Sequence, residues 1–495
     1  MPVSKDFLPL IGSSGNQGST YEIDQSIRFN DDDSPILKKT YSSAGTEETF
    51  TLSMWVKRGN IGAGLGAANL GLTLFSGGSS VSNYGEIVFR SSGYGVQDSL
   101  HFYNSASGSI NFQLVTTQLF RDTSAWYHIV CVMDTTNNVS SERMRIYVNG
   151  LRVTDFSTET YPSQNAVPSF NTATEHGIGG FAVSTDIRFF DGYLAEIHFL
   201  DGYAYGPENF GEFESNGIWI PKEYTGSYGT NGFFIDGRDS SDLGDDESGQ
   251  GNDFTASGLA AHDQMIDTPT NNFCVMNYNN KHSNVTLSDG SLHALGSGTS
   301  IAYPSGGTHL IPSSGKWYAE IRIINRIQPH EYPTTGVYNN SVRRLITNSN
   351  SPGSSDVSGA KDIGFGADER RLENGTNTDP WGTGMDDGNI AAIAIDMDNK
   401  KIWWGHNQTG SFVWQVSGNP NTGANPANTI DFNTTELIFG NSHYSNSEVH
   451  WNFGQDGTFG GAVTAQGNAD TNGIGNFYYP VPTGYMALCS KNMGS

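Results

Sequence analysis

No window longer than about ten residues in this chain keeps the i, i+3, i+4, i+7 apolar spacing of an amphipathic helix, whereas period-two alternation recurs throughout. In Phe50-Thr51-Leu52-Ser53-Met54-Trp55-Val56-Lys57, the residues Phe50, Leu52, Met54 and Val56 share one face of an extended strand. Lys316 to Ile323 repeats the pattern, with Trp317, Ala319, Ile321 and Ile323 inward. Helical folds are thereby set aside, and an all-β chain is expected.

Turn chemistry then orders the strands. Asn149-Gly150 between Met144–Val148 and Leu151–Val153 supplies the two positive-φ residues of a type I′ hairpin. A second hairpin is expected where Ile390–Ile395 and Lys401–Trp404 flank Asp396-Met397-Asp398-Asn399. Trp126 to Met133 is apolar on both faces, as a central strand of a two-layer sandwich would be. Ser26–Phe29 is a candidate first strand, Leu72–Phe75 the next strand after Phe50–Lys57 across a glycine-rich loop, Tyr193–Leu200 the closing strand of the first half, and Val449–Gln455 a strand of the second. Turn signals about every eight to twelve residues suit sandwiches and jelly rolls.

Composition agrees. Glycine contributes 61 of 495 residues but proline only 18, which excludes collagen and proline-rich disorder. Only 16% of residues are charged, so Asn, Ser, Thr and Gly must supply much of the polar surface. With 26 Lys+Arg against 51 Asp+Glu, the net charge of −25 and the lack of any basic run oppose nucleic acid and anionic membranes. No apolar stretch approaches the roughly 18 residues of a membrane helix, so no membrane insertion is expected. Met1–Leu10 carries an early acid and is broken by Pro9, unlike a secretory signal. Cys131, Cys274 and Cys489 are far apart and read as buried free thiols.

Asp239 to Asp253 holds six acids and almost no apolar residues. The expected organisation is an arm over 1–20, a first jelly roll over 21–223, an acidic linker over 224–272 and a second jelly roll over 273–495.

The strands at 50–57 and 126–133, the Tyr147-Val148-Asn149-Gly150 hairpin and Leu194-Ala195-Glu196-Ile197 resemble the laminin-G/concanavalin-A-like jelly roll. Gly315–Glu320, Ile363-Gly364-Phe365-Gly366, Ala394 through Trp403 and Asn452-Phe453-Gly454-Gln455 are similar to SPRY domains. The whole order, including Ser26–Asn30, Ser42–Gly45, Trp55–Arg58, Tyr224–Gly232, Asp267–Phe273 and Gly484–Cys489, resembles tail-fibre-like structural proteins of marine tailed bacteriophages. That resemblance implies a virion protein, made in the host cytoplasm, that meets other virion proteins and a host-surface glycan or protein. It also implies a homo-oligomer, trimeric by analogy with fibres, although no heptad or triple-helix repeat enforces one. Capsid decoration or a connector role is the mechanical alternative, and a polysaccharide-degrading enzyme on the same fold is the catalytic one.

Catalytic spacings are sparse. Glu212 and Glu214 share a strand face without the third acid of a Glu-x-Asp-x-x-Glu frame, and Asp396 and Asp398 read as turn caps. The twelve histidines form no His-Glu-x-x-His spacing, and the glycines of 59–71 lack the Lys-Ser/Thr of a phosphate loop. Weak calcium candidates are Asp239, Asp245 and Asp253; no other cofactor is expected. For sugar recognition, loop-borne rings beside planar polar groups stand out: Tyr338 with Asn339 and Asn340, Trp381 after Asp379 and Pro380, His406 with Asn407 and Gln408, and His443 with Tyr444.

Overall fold

The computed structural model describes residues 21–61, 71–91, 96–184, 188–298, 303–326, 333–339, 363–373, 376–378, 380–407, 410–429 and 436–494. The arm over 1–20 and most of the 59–71 loop lie outside them. The chain forms two compact units: Ser19–Pro269 with Thr286–His293, and 270–285 with Ala294–Ser495. Both are built of strands joined by turns; helical segments are single turns such as Ser490–Met493.

In the first unit, one sheet runs Leu151–Arg152, Met144–Val148, Trp126–Asp134, Thr49–Arg58, Gly192–Asp201, Ser26–Phe29 and Gln264–Met265, with Phe233–Ile235 also on Gly192–Asp201. The facing sheet runs Phe156–Thr160, Ser109–Leu119, Ser99–Ala106, Asn83–Arg90, Gly71–Ser80, Glu175–Ile178, Ile36–Thr40 and Thr255–Ser257. Alternation sends Phe50, Leu52, Met54 and Val56 into the core between them, against Leu72, Phe75, Ile87, Phe89, Phe102 and Leu114. Trp126–Asp134 is the central strand expected, flanked by strands on both sides. Gly71–Ser80, the next strand in the chain after Thr49–Arg58, belongs to the facing sheet, and the apolar Gly192–Asp201 sits mid-sheet between Thr49–Arg58 and Ser26–Phe29.

The stretch over 224–272, expected as a linker, is instead part of the first sandwich as far as Pro269. Its three strands each extend a sheet by antiparallel pairing. Leu243 and Phe254 reach the core, and Asp246 closes the acidic turn by accepting from the backbone N–H of Phe234 (2.9 Å), Ser248 (2.9 Å) and Asn252 (2.7 Å). A third layer, Tyr203 to Phe234, covers the outer face of the first sheet, where Phe210 and Tyr228 pack on Val130, Val132 and Leu200.

The second unit is also a two-sheet sandwich. One sheet runs Met276–Lys281, Tyr303–Gly307, Leu437–His443, Thr334–Asn339, Ile363–Gly366, Arg371–Glu373 and Thr376–Thr378. The other carries Glu448–Asn452, Lys316–Asn325, Ile390–Asp396, Lys401–Asn407 and Phe412–Trp414 in that order. Trp317, Ala319, Ile321 and Ile323 are buried as the alternation predicts. Cys131, Cys274 and Cys489 are buried free thiols.

Candidate functional site

In the strand Lys401–Asn407, period two sets Ile402, Trp404 and His406 on one face, and Ile363–Gly366 of the opposite sheet brings Phe365 against them. Phe365 lies 6.2 Å from Trp404 and 6.3 Å from His406 between ring centres. The half-buried Trp381 meets Phe365 edge-on at 5.3 Å and Trp404 at 6.4 Å, with the Arg371 guanidinium over its ring at 5.9 Å. Thr383 closes this end of the sandwich: its carbonyl accepts from His406 Nε2 (2.9 Å), while its N–H and hydroxyl donate to Gln415 Oε1 (2.9 Å each). His406 Nε2 therefore carries the ring proton, and burial lowers the pKa of the imidazole. Trp404 Nε1–H and Gln415 Nε2 are buried donors without acceptors.

Of the sequence candidates, the fold brings together Trp381 and His406. Asp379, Asn340 and Gln408 lie outside the described residues. Tyr338 and Asn339 belong to Thr334–Asn339 in the opposite sheet and are only 3% and 7% exposed. The Tyr338 hydroxyl donates to the Asn441 carbonyl at 3.1 Å, and its ring packs with Ile438 under Leu310 on the face of the sheet opposite to that of Val337 and Phe439, so it is covered without entering the core between the sheets. His406 and His443 are buried outright, and Tyr444 is half-buried. Loop-like composition misled here because strand ends and loops share residue types, and an outward-facing ring such as Tyr338 is buried by a residue distant in sequence, Leu310.

Sequence reasoning missed a second polar group, on the outer face of the first unit's facing sheet. Glu86 accepts from Thr73 Oγ1 (2.6 Å), Arg188 Nη1 (2.7 Å) and the Tyr103 hydroxyl. Arg188 stacks on Phe181 at 4.1 Å, and Arg90 on Tyr103 at 4.8 Å. Arg90 Nε donates to His101 Nδ1 (2.6 Å), which leaves Nε2–H for Gln113 Oε1 (2.9 Å); burial and then Arg90 push the His101 pKa down to about 3. The alternation Glu86, Val88, Arg90 opposite His101, Tyr103 was the signal available for it.

Hydrolytic chemistry is poorly served. Among the described residues, register puts Glu86 and Glu175 on that face, opposite Ser76 and Gly78 of the intervening strand. Two strand spacings and two residues separate their backbones by roughly 12 Å, against the ~5 Å between carboxyl groups of a retaining glycosidase. Glu86 is held by Arg188 and Glu175 by Lys38 (3.1 Å). Ser53 Oγ lies 2.8 Å from His128 Nε2, the distance of a nucleophile and its base. Trp219 Nε1–H donates to His128 Nδ1 at 3.0 Å, however, so Nε2 holds the proton and donates to the serine. Burial, then His198, lowers the His128 pKa to about 3, and the pair lies under the third layer.

The remaining acids cap turns. Glu212 is exposed on Gly211–Phe213, and Glu214 accepts from Asn216 Nδ2 (2.9 Å). Asp396 accepts from Asn399 N–H (2.9 Å) and Nδ2 (2.9 Å), and Asp398 from Gly315 N–H (2.9 Å). Asp239 binds Ser241 N–H (2.8 Å) and hydroxyl (2.7 Å), and Asp253 accepts from Asp246 N–H (3.2 Å). Asp245 feels Asp253, Asp242 and Asp239 as like charges, which, after burial, raise its pKa.

Residues 30–205 match the family described as the concanavalin A-like lectin/glucanases superfamily. The first sandwich has that fold. No curated protein matches the chain. Among solved structures, the chain is similar to the SPRY domain of human HERC1, at 14% identity over 36% of this chain and 96% of that one, with a TM-score of 0.26. It is similar to domains LG4-5 of the mouse laminin alpha1 chain, at 8% identity over 87% and 90%, with a TM-score of 0.29. A pentraxin from Limulus polyphemus shares 15% identity over 38% and 80%, with a TM-score of 0.27. Scores this low carry no functional argument.

Proposed function

We propose that this chain is a non-catalytic binding protein whose lectin-type sandwiches engage a surface glycan or protein, borne on a bacteriophage particle as a tail fibre or a capsid or tail appendage. The observation behind the non-catalytic half is that Glu86 and Glu175, which register places on the outer face of the first sandwich's facing sheet, are already held by cations, Glu86 by Arg188 and Glu175 by Lys38. A sheet face so neutralised keeps a polar binding surface and commits these two acids elsewhere than to protonating a glycosidic oxygen. The particle-borne half is supported by the order of motifs from Ser26–Asn30 to Gly484–Cys489. In the second sandwich, Trp381 supplies a partly exposed ring of the kind that packs on a sugar face.

The test is adsorption of the purified chain to glycan arrays and to marine bacterial cells. Saturable binding that Trp381→Ala weakens at least tenfold supports the proposal. New reducing ends accumulating in marine polysaccharides would overturn it in favour of an enzyme, and absence of any adsorption would leave a mechanical virion role instead.

A further inference from the structure

Phe412–Trp414 is the last strand of its sheet: it pairs with Lys401–Asn407 on one side, and among the described residues no strand pairs with the other. Alternate N–H and C=O groups of such an edge point away from the sheet and stay open to a further strand. Other edge strands of the molecule carry a charge, Glu159 in Phe156–Thr160 and Lys281 in Met276–Lys281. Phe412–Trp414 carries neither a charge nor a proline. Register separates its side chains. Val413 lies opposite His406 and shares its face, the one turned to Phe365 of the opposite sheet. Val413 is nonetheless 51% exposed, at an edge where it has a neighbouring strand on one side only.

The strand is held in position without a partner. Phe412 and Trp414 take the other face, where their rings meet edge-on at 5.1 Å and close over Gly405, at which a Cβ would lie 2.5 Å from the Phe412 ring. Phe412 also packs on Tyr479 at 4.2 Å, and Gln415 Oε1 clamps the strand's end by accepting from the Thr383 N–H and hydroxyl. The turn that follows is strained. Val416 has φ 52° and ψ 40°, the left-handed region that a β-branched side chain avoids, and Ser417 continues it at φ 55°. Val416 is 54% exposed, so burial of its side chain does not offset that strain. Strained backbone of this kind clusters at ligand clamps.

We propose that the Phe412–Trp414 edge takes up an extended segment of a partner protein as a further strand, with Val413 and Val416 as its side-chain contacts. The backbone supplies the hydrogen bonds, and a β-branched or aromatic residue of the partner opposite Val413 completes the row that ends there. A glycan, lacking donors and acceptors at strand spacing, would leave this edge unpaired. A second copy of the chain is disfavoured, since each carries a net charge of −25, and the partner segment is expected to be free of acids for the same reason. This surface goes beyond the glycan reading and does not use Trp381 as a contact.

The full chain is panned against a displayed library of random short peptides, with Val413→Lys as the counter-selection, and a selected peptide is synthesised for titration by fluorescence anisotropy. Acid-free sequences with β-branched or aromatic residues at alternate positions should be enriched. Val413→Lys should weaken their binding about tenfold or more, by placing a charge at the open edge. N-methylation of the peptide at alternate residues should do the same, while methylation of the intervening residues should leave affinity within about twofold, since only one set of amides faces the edge. Val416→Gly should melt no lower than the native chain, because it relieves the left-handed backbone, yet bind the peptide more weakly; a merely structural valine would not separate the two. No enrichment over the Val413→Lys background, equal sensitivity to both methylation patterns, or undiminished binding by Val416→Gly overturns the proposal. So does a concentration-dependent dimer lost in Val413→Lys, which would assign the edge to a second copy. Glycan adsorption is measured in the same variants, and its absence bears on the lectin reading alone.

Discussion

Both sandwiches bury a carboxylate that fastens a distant segment to a sheet, but they neutralise it differently. In the first, Lys57 Nζ meets Asp267 at 2.7 Å with both side chains 0% exposed, and Trp126 Nε1 adds a bond at 3.2 Å. Arg28 with Asp263 and Arg58 with Asp98 repeat the device. In the second, Glu320 is equally buried, but its partners are neutral donors: the N–H groups of Tyr478 and Tyr479 (2.8 Å each), the Tyr318 hydroxyl (2.9 Å) and Asn452 Nδ2 (3.2 Å). A cation partner fixes the charge state, so removing it is severe. Neutral donors leave the charge to compete with desolvation, so that site answers to pH.

The largest effect should follow from breaking the ionic anchor. Lys57→Met strands Asp267 in the interior and should cost about 3–5 kcal/mol in urea unfolding followed by tryptophan fluorescence. The double variant Lys57→Met/Asp267→Leu should recover most of that loss, because an apolar pair of similar volume replaces two buried charges. Equal losses in the single and double variants would show that the pair is a stabiliser in its own right.

Glu320 tests the other half. Desolvation outweighs its four hydrogen bonds and raises the folded pKa to about 7 from an ordinary 4.5. The folded state then holds a proton that the unfolded state has released, so the contribution is fully present below pH 4.5 and is lost as pH rises through about 7. Stability measured from pH 4.5 to 8 should fall across that window, and Glu320→Gln should flatten this component. At low pH the variant should lose about 1–3 kcal/mol, since its amide turns a donor toward donors. An unchanged slope in Glu320→Gln would place the titration elsewhere.

What the sequence disclosed follows the range of the interactions. Phe50, Leu52, Met54 and Val56 reach the core because period two is a local property, and the Asp396 cap acts over three residues. The stretch 224–269 was illegible for the converse reason. Phe233, Ile235, Leu243 and Phe254 anchor it in the core, and its strands pair with residues 36–38, 26–27 and 197–199, partners that local composition cannot see. The candidate site was half legible: ring and amide content marked Trp381 and His406, but also Tyr338, which faces out of the sandwich and is buried under Leu310. Buried charge was least visible, since Lys57 and Arg58 look like ordinary strand-end cations until Asp267 and Asp98 arrive from elsewhere in the chain.

A smaller, purely conformational effect is expected at the first hairpin. Gly150 has φ +78°, and a Cβ there would meet the Trp219 ring at 2.3 Å. Gly150→Ala should therefore cost about 1 kcal/mol or more, through the positive φ together with displacement of the indole. Loss of the Trp219–His128 bond should accompany it as a change in tryptophan emission. A neutral result would mean that the third layer yields readily, and that the outer face of the first sheet is less firmly closed than its packing indicates.

The smallest effect belongs to Glu212, the acid on which an enzymatic reading would rest most weight. It is exposed on a short two-stranded ribbon, paired through the backbone with Ile220, and its neighbour Glu214 is occupied with Asn216. A surface carboxylate of this kind contributes within about 0.5 kcal/mol. Glu212→Gln should leave melting temperature and adsorption to glycans or cells unchanged. Were the native chain to cleave a polysaccharide and Glu212→Gln to abolish the cleavage, the contrast between paired and unpaired carboxylates would have to be redrawn, with this exposed acid rather than the cation-held Glu86 at the centre of the chemistry.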